Sequence, residues 1–124
     1  MKIIEPSERF MATQFPAPTS RWRPEDPPLE SIPDYTAYEC PRCTRRISFE
    51  VRHFQAAALE PKSNLSAQDD SEATAIHGRR LTTEESYLDW YCPGCGKAVR
   101  AYFSCWVGDR GIFFVKITQV IESA

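Results

Sequence analysis

Two short motifs hold the residues best suited to chemistry: Cys40-Pro41-Arg42-Cys43 and Cys92-Pro93-Gly94-Cys95. Two cysteines separated by two residues lie on one tight turn, so both sulfurs can face a single point. Four such thiolates suit a tetrahedral Zn2+, with Zn–S near ~2.3 Å, or a single iron. Gly96 follows Cys95 at a position that often requires positive φ, whereas Thr44 stands at the equivalent place after Cys43, which predicts a less regular first turn. A centre closed by four protein thiolates leaves no position for water, so one structural, tetrahedral Zn2+ on Cys40, Cys43, Cys92 and Cys95 is expected. The competing readings are a redox dithiol or unrelated thiols.

The other reactive side chains point to little chemistry. Cys105 reads as a small apolar residue on a strand, with a fifth ligand or sensor thiol as the sharper alternative. His53 and His77 have no partner at ligand spacing, and Asp69-Asp70 and Glu84-Glu85 read as solvated charge. No HExxH, GxSxG, phosphate-loop or paired-carboxylate signature occurs, so catalysis is not expected and no catalytic residue is assigned. Arg42, Arg45, Arg46 and Lys97 flank the cysteines and are placed to offset the negative charge of a tetrathiolate centre.

The cysteines must be positioned by strands. A shift that lays Cys40 on Cys92 also lays Tyr35 on Tyr87, Tyr38 on Trp90, Pro41 on Pro93, Cys43 on Cys95, Arg45 on Lys97, Ile47 on Val99 and Val51 on Phe103. Each half is therefore an aromatic strand, a cysteine turn and an alternating strand. In the first half Ile47, Phe49, Val51 and His53 alternate with polar residues, the period of a half-buried strand. In the second, Val99, Ala101, Phe103 and Cys105 share a face. Gly108-Asp109-Arg110-Gly111 reads as a hairpin turn, after which Phe113, Val115 and Ile117 share one face and Ile112, Phe114 and Val120 the other. Apolar residues on both faces of 112–121 predict a central strand, or one covered by the N-terminal arm.

Two stretches lie outside this pattern. Residues 1–34 hold seven of the ten prolines, with Phe10, Met11, Phe15, Trp22 and Leu29 among them. Proline excludes a regular helix or central strand there, and the aromatics predict an extended arm docked on the domain or on a partner. One helical turn is expected within 7–13. Residues 55–81 are largely polar and read as a flexible insertion between the cysteine pairs. Thr82 and Glu85 match a capping box, although the apolar run that follows looks like strand. The domain organisation expected is an arm over 1–34 and a metal-stapled domain over 35–124.

With its two CxxC turns the chain resembles the zinc-ribbon group over Tyr35–Phe54 and Tyr87–Ile121. The resemblance implies a mainly β fold, a small antiparallel zinc-ribbon-like sheet with a Pro-rich extended N-terminal arm. Zinc ribbons serve transcription, translation, enzyme inserts and plain protein contacts, so it is far less specific for function. Rubredoxin-like iron sites share the double CxxC. The 48 residues between Cys43 and Cys92 are long for either group.

Composition narrows the partner. The formal net charge is −2, without the basic excess that phosphate binding usually requires. Residues 39–60 carry four Lys/Arg against three acids, and 61–90 carry three against six. A charge and a proline interrupt the first residues where a secretion signal would begin, and no run approaches a membrane span, so a reducing cytoplasm is expected. Three functions remain open. One is a non-enzymatic protein-binding module anchored by Trp22, Trp90, Tyr91, Tyr102 and Trp106, including an immunity or antitoxin protein that neutralises another protein. The second is a zinc-ribbon nucleic-acid binder using Arg42, Arg45, Arg46, Lys97 and Arg100. The third is electron transfer through iron.

Overall fold

Residues 1–17, 35–107 and 113–124 are described by the computed structural model. The expected turn at 108–111, Ile112, and Trp22 and Leu29 of the arm lie outside these residues. The architecture of the described residues is mainly β, built from two antiparallel sheets with two helices between the cysteine pairs. The strands are β1 (Lys2–Ile4), β2 (Gln14–Ala17), β3 (Tyr35–Glu39), β4 (Arg46–Glu50), β5 (Glu85–Tyr91), β6 (Ala98–Val107) and β7 (Phe113–Glu122). The helices are α1 (Val51–Leu59) and α2 (Ala67–His77), and one 3-10 turn covers Pro6–Glu8.

The larger sheet has the order β1-β7-β6-β5, and β2 also pairs with β7. The smaller sheet is β3-β4. Strand β7 is central, as its two apolar faces predict: β6 lies along one edge and the N-terminal strands along the other. The start of the arm is thus part of the sheet, with Lys2 opposite Glu122 and Gln14 opposite Lys116. Between these strands, Phe10 forms a bridge with Tyr38 of β3 and is buried.

The alternation along β6 holds: Val99, Ala101, Phe103 and Cys105 are all buried in the main core. Along β7 it breaks once. The register passes from Tyr102↔Gln119 to Phe103↔Ile117, leaving Thr118 as an extra residue, a β-bulge. The bulge reverses the facing of everything after it. Val120 therefore joins Val115 and Ile117 in the main core, contrary to the strict alternation, and Ile121 faces the opposite cluster with Ala73 and Tyr102.

Two further expectations are corrected. The strand expected through His53 stops at Glu50, where a reciprocal cap starts a helix. The Glu50 carboxylate accepts the His53 N–H, and His53 Nδ1 accepts the Glu50 N–H at 2.8 Å. Val51 thus enters α1, and Phe54 becomes its buried anchor, edge-to-face on Phe103 at 5.0 Å. The tract over 55–81 is not a structureless insertion either. It completes α1 and contains α2, which Ser66 caps through Asp69 N–H at 3.2 Å and Gly78 ends at φ 74°. At Thr82 only one arm of the capping box forms: Glu85 accepts the Thr82 N–H at 3.0 Å, and a strand follows, not a helix.

Candidate metal centre

Each cysteine pair sits on a turn joining two antiparallel strands: β3 to β4 in the first half and β5 to β6 in the second. The two turns are nearly the same object. The Cys40 N–H donates to Arg45 O at 2.9 Å and the Thr44 N–H to Cys40 O at 2.9 Å. In the second turn the Cys92 N–H donates to Lys97 O at 2.8 Å and the Gly96 N–H to Cys92 O at 2.7 Å. Thr44 takes φ 62° and Gly96 φ 77°, so the first turn is as regular as the second, and Thr44 carries the strain of a left-handed residue.

The turns face each other and bring Cys40, Cys43, Cys92 and Cys95 together, with all four sulfurs within 4.8 Å of one another. Cys43 and Cys92 Sγ are 3.4 Å apart, and Cys40 and Cys95 Sγ are 3.7 Å apart. Cys40 and Cys92 lie inside, and Cys43 and Cys95 are half-buried. Gly94 stands where Cys43 leans across: a Cβ there would lie 2.6 Å from Cys43 Sγ. No larger residue fits without moving a ligand.

The metal-free thiols divide in the same way in both halves. Burial pushes Cys92 up, but the N–H groups of Cys95 and Gly94, together with Cys43 and Cys95, outweigh it and hold its pKa at about 6. Burial likewise opposes ionisation of Cys40, yet the N–H groups of Cys43 and Arg42 bring it below the ordinary thiol value. The Arg45 N–H pulls Cys43 down, but its hydrogen bonds to Cys92 and Cys40 win and raise it to about 11. Cys95 is raised for the same reason, by Cys40 and Cys92, against the Lys97 N–H. The inner cysteine of each turn is thus the better thiolate and the outer one keeps its proton. Four soft, convergent sulfurs fit a metal ion held entirely by protein, which would tie the two sheets together.

Behind the centre lies an ionic node with no motif to announce it. Glu122 is fully buried at the end of β7. Arg9 Nε donates to both its oxygens at 3.1 Å, Lys97 Nζ lies 3.4 Å away, and the Tyr38 hydroxyl donates to it as well. Burial raises the carboxyl pKa, but Tyr38 and Arg9 outweigh burial and the net direction is down. Tyr38 moves up, through burial and the Glu122 bond. Lys97, expected to offset the thiolates, is instead spent on this carboxylate. Only its position directly after the second turn hinted at a buried role.

The residues expected to anchor a partner are scattered. Trp90 fills the space between the sheets, with ring centroids 4.8 Å from Phe49 and 5.1 Å from Tyr38. Tyr102 is buried beneath His77, stacked at 3.8 Å. Tyr102 is core, because α2 covers it, and Trp90 is half-buried against the core. Tyr91 is exposed, but its hydroxyl donates to Asp69 at 2.7 Å and accepts the Ser66 N–H at 2.8 Å. Trp106 is half-buried and stacks on Phe114. Trp22 lies outside the described residues.

The basic set divides too. Arg42, Arg45 and Arg46 are exposed around the first turn. Arg100 is buried, with Nε and Nη2 donating to Asp89 at 2.7 and 2.8 Å and Nη2 to Asp70 at 2.5 Å. Cys105 is buried, and burial raises its pKa, as an inert core thiol requires. His53 caps α1, and His77 Nδ1 bonds Gln119 at 2.7 Å. Among the described residues no helix is long and apolar enough to cross a membrane. Against this geometry, no protein-family model matches the chain, no curated protein matches it, and no solved structure matches it.

Proposed function

We propose that the chain binds one structural Zn2+ through Cys40, Cys43, Cys92 and Cys95 and works as a non-enzymatic, zinc-ribbon-like protein-binding module. The observation that carries this reading is the convergence of the four sulfurs within 4.8 Å from two separate sheets. Four protein ligands fill a tetrahedral ion, so the metal supplies folding energy rather than a reactive position. Zinc is favoured over iron as the usual occupant of such closed thiolate sites.

Protein is favoured over nucleic acid by the basic residues themselves. Two of the five that would contact phosphate, Lys97 and Arg100, are buried against carboxylates, and the chain as a whole is acidic. The exposed apolar side chains Ile3, Met11, Leu59 and Tyr91 offer protein-type contacts. Met11 also lines an open cleft of about 500 Å3 between the 7–11 segment and the first cysteine turn. A small acidic chain of this kind suits an immunity or antitoxin role, in which it neutralises a partner. The nucleic-acid reading retains Arg42, Arg45 and Arg46 on one exposed turn.

Elemental analysis of the purified, colourless protein is expected to give one zinc per chain; a coloured protein carrying iron would overturn the metal assignment. Affinity capture with mass spectrometry, followed by rescue of cells expressing the captured protein, tests the partner. A mobility shift with RNA or DNA at low salt, in the absence of protein capture, would favour the alternative.

A further inference from the structure

Helix α2 is attached to the sheet by chemistry unlike that holding the rest of the fold. Of its eleven residues only Ala73 is buried, and Ile76 and the following Leu81 add half-buried contact to Tyr102 and Ile121. Beyond these and the His77 ring, which stacks on Tyr102 at 3.8 Å, the attachments are polar. Asp70 Oδ1 and Thr74 Oγ1 accept from Arg100 at 2.5 and 3.1 Å, Asp69 accepts from Tyr91 at 2.7 Å, and Glu72 pairs with the N-terminal amine at 2.7 Å. A cleft of about 340 Å3 runs along the seam between the end of α2 and the sheet, lined by Thr74, His77, Leu81, Tyr87, Arg100 and Tyr102. His77 Nε2 is buried with no hydrogen-bond partner among the described residues. By contrast, α1 drives Phe54 into the main core and lies against β4 and β5.

We propose that α2 is a latch, which opens as a unit while the sheet and the metal centre stay folded. Elements with little buried apolar surface and mostly polar attachments are the first to open. Two features make this opening inexpensive. Arg100 keeps Asp89 on both its Nε and Nη2 when Asp70 leaves, so no unpaired charge is left in the interior. The segments at either end, from Pro61 to Ser66 and from Gly78 to Leu81, belong to no helix or strand and can absorb the hinge motion. Opening uncovers one continuous face made of the Tyr87 and Tyr102 rings, Ile121 and the Arg100 guanidinium, which lies over Tyr87 at 4.2 Å. Tyr102, which the closed form withholds from any partner, becomes accessible only then.

Amide hydrogen exchange on the full-length, metal-loaded protein tests this. Amides of α2 are expected to exchange at least about tenfold faster than those of β6 and β7. Asp70→Asn removes a charge-assisted bond and is expected to speed α2 exchange by a further factor of about ten, with β6 and β7 unchanged. Ala73→Arg is expected to hold the latch open while the metal content and the protection of β6 and β7 persist. Exchange of α2 at the rate of the central strands would overturn the proposal. So would equal acceleration of all elements by Asp70→Asn, or loss of metal and strand protection in Ala73→Arg.

Discussion

The two cysteine turns share a backbone and differ in what holds them. The second joins β5 and β6, seven and ten residues long, inside the larger sheet. The first joins β3 and β4, five residues each, in a sheet of two strands. Isolated two-stranded sheets are marginal in water. The first half is steadied instead by Phe10, which bridges to Tyr38, by Trp90 packed on Phe49 and Tyr38, by the Tyr38 bond to Glu122 and by contacts across the thiol cluster. Equal ligand geometry therefore rests on unequal support, and a bound ion would contribute more to placing the first half than the second.

Metal removal is the strongest way to break this comparison. Structural zinc in small modules supplies on the order of 10–16 kcal/mol. Chelation is expected to abolish the near-UV circular dichroism of the aromatic cluster, and β3 and β4 should lose amide protection before β6 and β7. Simultaneous loss would mean that the two halves are equally supported. Cys43, raised to about 11, and Cys95, also raised, are protonated at neutral pH, so uptake of the ion should release at least these two protons. Affinity then rises with pH and falls on acidification, because protons compete for the same sulfurs. Indicator titration in weak buffer measures both.

Glu122 is the next largest handle, since it holds Tyr38 of the first half and Lys97 of the second. Glu122→Gln leaves the buried Lys97 and the half-buried Arg9 without a counter-charge and should cost about 3–5 kcal/mol in denaturant unfolding. Tyr38→Phe removes one hydrogen bond and should cost about 1–3 kcal/mol. Comparable losses in the two variants would show that the node serves the first half alone.

Smaller changes test the turns directly. Gly94→Ala places a methyl group 2.6 Å from Cys43 Sγ and should weaken metal affinity by about 10–100-fold in competition with a chromophoric chelator, the size of effect seen when a ligand's support is disturbed. Arg42→Ala, at the corresponding place in the exposed first turn, should leave affinity nearly unchanged. Least of all, Gly96→Ala should cost about 1 kcal/mol through its φ of 77° alone, since nothing lies within 4 Å of the added carbon. Thr44→Gly should fall within about 0.5 kcal/mol of zero, because relief of strain is offset by a freer unfolded chain.

The centre was legible because CxxC spacing encodes turn geometry directly, and the repeat exposed the strands on either side. The faces of β6 were equally plain from Val99, Ala101, Phe103 and Cys105. What stayed hidden depended on contacts between distant residues. Val51 and His53 continue a strand period, and only the mutual cap of Glu50 and His53 turns the chain into helix. The sequence of α2, with Asp69, Asp70, Ser71 and Glu72 in a row, has no apolar stripe, because much of its docking is polar. Tyr102 and Arg100 look like surface residues until that helix covers them. Thr118 carries no signal of a bulge, yet it decides which side of the sheet receives Val120 and Ile121.

The central place of β7 has a consequence for a chain emerging from the ribosome. Lys2 and Gln14 lie opposite Glu122 and Lys116, so the earliest strands find their template only when the last one appears. Until then β1 and β2 have no partner strand, whereas the first cysteine turn finds its counterpart earlier, at Cys92 and Cys95. Pairings between distant segments close slowly. An ion held by all four cysteines would have to wait at least for Cys95, and a chain stopped before β7 would leave β1 and β2 without the strand they pair with.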